Sequence, residues 1–127
     1  MERILHVEDE PDIREVAKIA LEAIGGFVVE SAESGRAALE KALAFVPDVI
    51  LLDVMMPGMD GPMTFRELRK RPETAEVPII FMTAKVQAHE VEQYRQMGVL
   101  DVIPKPFDPM SLSDQIRAIL SAAAGAR

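Results

Sequence analysis

Four features of this chain carry side chains suited to chemistry on phosphate: the acidic pair Glu8-Asp9, the carboxylate of Asp53, the hydroxyl of Thr83 and the ammonium of Lys105. Three carboxylates brought together repel, and without a counter-ion at least one takes a raised pKa. A divalent cation resolves this. Oxygen donors with no His or Cys among them point to Mg2+ or Mn2+ rather than zinc. Mg2+ keeps several waters and shares its shell with phosphate oxygens. A lysine is a point charge that suits phosphate, and a threonine hydroxyl can donate to a phosphate oxygen. A carboxylate, a metal and two phosphate-binding groups amount to a site for phosphoryl transfer onto an aspartate.

That chemistry requires the four features to meet, and the pattern of the chain says how. Val49-Ile50-Leu51-Leu52 is apolar on both faces and stops at Asp53, before a turn rich in Pro and Gly. This reads as a central strand of a parallel sheet with the acid at its carboxyl edge, where ligands bind in open α/β sheets. Ile4 to Val7 is a first strand ending at Glu8-Asp9, and Phe27 to Val29 begins a second. Val77 to Met82 is a fourth ending at Thr83-Ala84, and Leu100 to Ile103 a fifth ending at Pro104-Lys105-Pro106.

Helices are expected between the strands. Ile13, Val16, Ala17, Ala20, Leu21 and Ile24 have helical spacing, and Gly25-Gly26 ends that helix. Ser34 caps a second helix from Gly35 to Phe45. Pro62 opens a third, with Met63, Phe65 and Leu68 inward. A weakly amphipathic fourth spans Val86 to Met97. The fifth starts at Asp108-Pro109, buries Leu112, Ile116, Ile119, Leu120 and Ala123, and frays from Ala122 to Arg127. Five alternations with short connections imply an α/β fold: a five-stranded, doubly wound parallel sheet with five helices, flavodoxin-like, of order 2-1-3-4-5. In that order strands one and three are neighbours, so Glu8-Asp9 and Asp53 face one crevice.

With 127 residues the chain suits one domain, an ordered core of about 3–122 being expected within 1–127. Hydrophobic residues at 49% and charged residues at 28% are globular values. A net charge of −7 argues against direct nucleic-acid binding. No apolar run reaches membrane-spanning length, Met1-Glu2-Arg3 leads straight into a strand without a signal peptide, and there is no cysteine, so the reading is cytoplasmic with no membrane partner.

The segments Glu8-Asp9, Leu52-Asp53-Val54-Met55-Met56-Pro57-Gly58-Met59-Asp60-Gly61, Thr83-Ala84 and Lys105-Pro106-Phe107 together resemble the receiver domain of bacterial two-component response regulators, over almost the whole chain. The resemblance implies a phosphoacceptor switch rather than an enzyme. Asp53 would accept a phosphoryl group from a phosphohistidine on a sensor histidine kinase or phosphotransfer protein. Glu8, Asp9, Asp53 and the backbone carbonyl of Met55 would hold Mg2+. Thr83 and Lys105 would grip the phosphoryl oxygens, small Ala84 would leave room for them, and the Lys105-Pro106 peptide would be cis. A downstream protein would dock on helix four, strand five and helix five. One departure bears on that route: the position that often holds an aromatic switch residue is Val102, and Pro104 stands where a small polar residue is common.

Plainer readings exist for single residues. Asp9 could cap a helix, Thr83 could be a strand former and Lys105 a surface lysine; their joint pattern favours the site. Asp60 and Gly61 read as turn and helix-start residues, and Met55, Met56, Met59 and Met63 equally as adaptable packing under a loop that must move or as ordinary core filling. His6 reads as core and His89 as solvated, neither with a phosphotransfer role. A competing function is a small Mg2+-dependent phosphatase or phosphotransferase working through an aspartyl-phosphate. Such enzymes usually carry an acid two residues after the nucleophile, where this chain has Met55. A receiver-like module that is never phosphorylated is disfavoured by the intact acids, Thr83 and Lys105. A stand-alone regulator and a piece of a longer protein are both compatible with the sequence.

Overall fold

The computed structural model describes residues 2–125. Five strands, β1 (Arg3–Val7), β2 (Val28–Ala32), β3 (Val49–Asp53), β4 (Ile79–Thr83) and β5 (Asp101–Pro104), form one parallel sheet of order β2-β1-β3-β4-β5. The helices are α1 (Pro11–Ile19), α2 (Gly35–Phe45), α3 (Gly61–Arg69), α4 (Ala88–Met97) and α5 (Leu112–Gly125). None of those described is long and apolar enough to cross a membrane.

Alternation along each strand divides the core in two. Leu5, Val7, Ile50, Leu52, Ile79 and Phe81 pack with Leu39, Phe65 and Leu68 of α2 and α3. Ile4, Val49, Leu51, Ile80, Met82 and Ile103 pack on the other face with Ala17 and Leu21, and with Leu112 and Ile116 of α5. All five residues of β3, and all five of β4, are buried. A strand covered on both faces has to be apolar throughout, which is why these two read as unbroken runs. The strand order and the helix from Gly35 to Phe45 agree with the expectation from the sequence, and Ser34 accepts the Ala37 amide as its cap, at 3.1 Å.

Differences lie mainly at helix ends and faces. After α1 the chain widens into a π-helical turn, Ala20–Ile24, with Gly25 N–H bonded back to Ala20 O at 3.2 Å. A wider turn breaks the 3.6-residue period, and Ile24, expected inward, is 48% exposed. Val16 is also exposed. In α3 the inner positions are Gly61, Thr64, Phe65 and Leu68, and Met63 faces out. Thr64 takes the inner place because its hydroxyl donates to Asp60 O at 2.8 Å and so arrives already satisfied. α4 starts at Ala88 rather than Val86, and β5 runs one residue later than expected, from Asp101 to Pro104. α5 starts at Leu112, because Asp108 first closes a turn with the amides of Met110, Ser111 and Leu112. It continues through Ala122 to Gly125, where fraying was expected; the remaining tail and Met1 lie outside the described residues.

The turn after β3 is built around Gly61. Its N–H donates to Val54 O at 3.0 Å, and a Cβ there would meet Asp53 O and Val54 Cα at 2.7 Å each. Both are backbone atoms that cannot swing aside. Gly61→Ala is therefore expected to lower stability by about 1–3 kcal/mol, read by urea denaturation; an unchanged midpoint would contradict the close approach.

Candidate phosphoacceptor and metal site

The register of β1 on β3 pairs Val7 with Leu52, so the next residues, Glu8 and Asp53, come level at the sheet edge. With Asp9 they place carboxylate oxygens all within 4.8 Å of one another. Glu8 and Asp53 are buried and Asp9 is half-buried. Lys105 reaches in from the end of β5. Its Nζ lies 2.8 Å from Glu8 Oε1 and 3.3 Å from Asp53 Oδ1. The Lys105-Pro106 peptide bond is cis.

Thr83, buried at the end of β4, joins this edge through its carbonyl, which accepts the Lys105 amide at 2.9 Å. Its hydroxyl accepts the Lys85 amide at 3.1 Å. Ala84 is exposed beside it, and Met55, just past Asp53, turns its side chain to solvent. Val102 does not belong to this group. It sits in β5 opposite Phe81 and packs, half-buried, against the α2–α3 core. His89 is exposed.

Burial pushes the Glu8 carboxyl up to about 7; the neighbouring Asp53 charge adds to this and the Lys105 hydrogen bond opposes it. Asp53 is raised as well, by burial first, against the pull of Lys105. Burial alone would lower Lys105, but the two carboxylates hold it above its ordinary value. The lysine is thus the resident counter-ion of an acid cluster with more negative charge than it can neutralise. Oxygen donors in excess, with no nitrogen or sulfur ligand among them, suit a hard divalent cation such as Mg2+.

Two features near this edge go beyond the reading of the sequence, which assigned Arg14 no role and placed His6 as core, where it lies. Arg14 folds back from α1 onto the carbonyls of Glu8 and Asp9. His6 is buried with neither ring nitrogen hydrogen-bonded, and burial, with Lys105 and Arg14 nearby, lowers its pKa to about 4.

The family model described as response regulator receiver domain matches residues 4–117. The chain belongs to that family. Among relatives, it is 40% identical to a probable transcriptional regulator ycf27 of Guillardia theta, over 94% of this chain and 45% of the relative. It is 39% identical to the transcriptional regulatory protein CseB of Streptomyces coelicolor, over 92% and 48%. The chain spans about half the length of these curated relatives. Among solved structures, chemotaxis protein CheY4 of Vibrio cholerae superposes with a TM-score of 0.86 at 30% identity, covering 94% of this chain and 98% of that one. The signal receiver domain of a histidine kinase from Syntrophus aciditrophicus gives 0.80 at 33% identity, covering 96% and 92%. A receiver domain is the regulatory unit of a two-component response regulator, and the acid cluster of this one is able to hold a metal.

The shifts of His6 and Glu8 oppose each other in their effect on stability. His6 titrates at about 4 in the fold against 6.5 otherwise, so its contribution is present above pH 6.5 and is lost as pH falls toward 4. Glu8 titrates at about 7 against 4.5, so its contribution is present below pH 4.5 and is lost as pH rises through 7. Asp53 acts in the same sense as Glu8. Metal-free protein should therefore show a shallow stability profile between those limits. In His6→Leu the carboxylates act alone, and stability should fall with rising pH more steeply than in the wild type, by up to about 1.4 kcal/mol per pH unit. Denaturation series at pH 5 and pH 6 check this; parallel profiles would contradict it.

Proposed function

We propose that residues 1–127 form one receiver domain that works in the cytoplasm as a phosphoacceptor switch, with Asp53 as the acceptor. The single observation behind this reading is the convergence of Glu8, Asp9 and Asp53 within 4.8 Å with Lys105 across them. A carboxylate oxygen of Asp53 attacks the phosphorus of a phosphohistidine on a sensor kinase or phosphotransfer protein. The phosphorus–nitrogen bond breaks, and the imidazole nitrogen keeps the electron pair. Glu8, Asp9, Asp53 and the Met55 carbonyl would hold Mg2+, which when bound supplies charge neutralisation at the phosphoryl oxygens. The Lys105 ammonium leaves the carboxylates to take one phosphoryl oxygen, and the Thr83 hydroxyl donates to another. Ala84 leaves the approach open. Without a general acid at Met55, the domain promotes only its own phosphorylation and dephosphorylation.

Incubation with a small phosphodonor and Mg2+ should add one phosphoryl group to the wild type and none to Asp53→Ala, by intact mass. The same gain in both proteins would overturn the assignment.

The output would leave through α4, β5 and α5 toward a downstream protein, not DNA. None of the residues of α4 is buried, so few contacts hold it in one position, and weakly held elements are the ones that move. Val102 is too small to act as a swinging aromatic. The aromatic beside it comes from α4 instead: the Tyr94 ring stands edge-on to Phe81, 4.9 Å between centroids at 72°. Phe81 lies two residues before Thr83 on β4. A pull on Thr83 by a phosphoryl oxygen would therefore reach α4 both through the loop from Thr83 to Val86 and through the Phe81–Tyr94 contact. In Tyr94→Ala, Asp53 should still be phosphorylated, while beryllofluoride-induced changes in amide exchange retreat from α4 toward the site. Changes across residues 88–97 equal to those of the wild type would remove Tyr94 from the route.

A further inference from the structure

Three carboxylates within 4.8 Å push one another apart, and two of them sit on consecutive residues of a short turn. The ties on that turn are few. Glu8 N–H donates to Ala32 O at 3.0 Å, and Glu8 Oε2 accepts the Glu10 amide at 3.3 Å. Glu10, at the head of α1, makes no side-chain cap, so beyond that one amide contact the helix start does not anchor what precedes it. Asp9 itself is reached by Arg14. One guanidinium nitrogen, Nη1, donates to Glu8 O at 2.8 Å and to Asp9 O at 3.0 Å, and the Arg14 amide donates to Glu10 O at 3.0 Å. Among the described residues Arg14 forms no ion pair with any carboxylate.

We propose that Arg14 is a positioning residue for the divalent cation: by tying the carbonyls of Glu8 and Asp9 to one guanidinium nitrogen, it fixes the turn between them and aims the Asp9 carboxylate toward Glu8 and Asp53. Peptide planes are rigid, so fixing the carbonyls of Glu8 and Asp9 fixes the backbone angles of Asp9 between them, and with these the direction in which its side chain leaves the turn. Arg14 differs from Lys105 in what it holds. Lys105 occupies the carboxylates and must change partners when a cation arrives. Arg14 holds carbonyls only and keeps its bonds whether or not a cation is present. Groups that orient ligands in this way commonly matter for metal affinity almost as much as the ligands. The inference rests on the Mg2+ reading above.

The sign of the effect separates positioning from charge. Removing a positive charge close to a cation site should, by electrostatics alone, tighten Mg2+ binding. Loss of positioning should weaken it, by about 10–100-fold for an outer-shell orienting group. Isothermal titration of Mg2+ into Arg14→Ala is expected to show that weakening. Arg14→Lys, which keeps a donor able to reach the carbonyls, should lie between Arg14→Ala and the wild type. Lys18→Ala, which removes a charge from the exposed side of the same helix, should bind as the wild type does. With a small phosphodonor, the Mg2+ concentration for half-maximal rate should rise in Arg14→Ala while the rate at saturating Mg2+ is kept. Arg14→Gln, an uncharged donor, takes the place of Arg14→Ala should the latter not fold. Wild-type affinity or tighter binding in Arg14→Ala, or in Arg14→Gln in its place, overturns the role of Arg14. Absence of Mg2+ binding by the wild type overturns the metal reading beneath it.

Discussion

The repulsion among Glu8, Asp9 and Asp53 is the constraint around which the rest of the molecule is arranged. A buried acid cluster is unfavourable to folding by itself, because burial raises the pKa of Glu8 and Asp53 and so opposes their ionisation. The fold tolerates it because the sheet beneath is among the most completely buried parts of the protein. β3 and β4 have no exposed residue, and their register leaves little freedom in where Asp53 can sit. Lys105 then bridges Glu8 and Asp53, linking the first strand to the last across 97 residues of sequence. Such a cluster is poised. It is neutral enough to fold, yet any cation or phosphoryl group that enters must redistribute the partners of Lys105.

That redistribution meets a structure of uneven stiffness. The edge that receives it is rigid, while α4, which follows Thr83, buries none of its residues. Rigid input beside a loosely held element is the arrangement by which a local charge event becomes a shift of a surface. The edge-to-face series Phe65–Phe81–Tyr94 runs from α3 through β4 to α4 and ties that surface to the strand bearing Thr83. An aromatic on α4 in contact with Phe81 lessens the significance of Val102 on β5, since both pack beside the same ring.

His6 shows a different accommodation. A buried imidazole with unpaired nitrogens is destabilising, by about 1–3 kcal/mol for an unsatisfied polar group. It lies between β2 and β3, opposite Ser31 and Leu51, where an apolar residue would be the ordinary choice. Its shift is opposite in sense to that of Glu8.

The fold class, the strand order and the convergence of Glu8, Asp9, Asp53 and Lys105 at one sheet edge were legible in the sequence because each rests on a local pattern with one physical meaning. An unbroken apolar run means a strand covered on both faces, and a carboxylate, threonine or lysine at its end means a sheet edge; five repetitions leave few ways to wind the sheet. Helix faces were less legible. The π-helical turn broke the period that assigned Ile24 inward, and the hydrogen bond of Thr64 to Asp60 put a polar residue where Met63 was expected. The contacts of Arg14 and Tyr94 were not legible at all, and of His6 only its burial was. An arginine on a helix looks the same in sequence whether it faces water or folds back onto two carbonyls. An aromatic on a weakly amphipathic helix does not disclose which strand it meets. The sequence by itself determined which acidic, hydroxyl and ammonium groups the chain carries and which strand ends bear them. Only the tertiary structure decided how the acids are held together against their repulsion and that Tyr94 of α4 meets Phe81 of β4, because those outcomes depend on contacts between residues far apart in the chain.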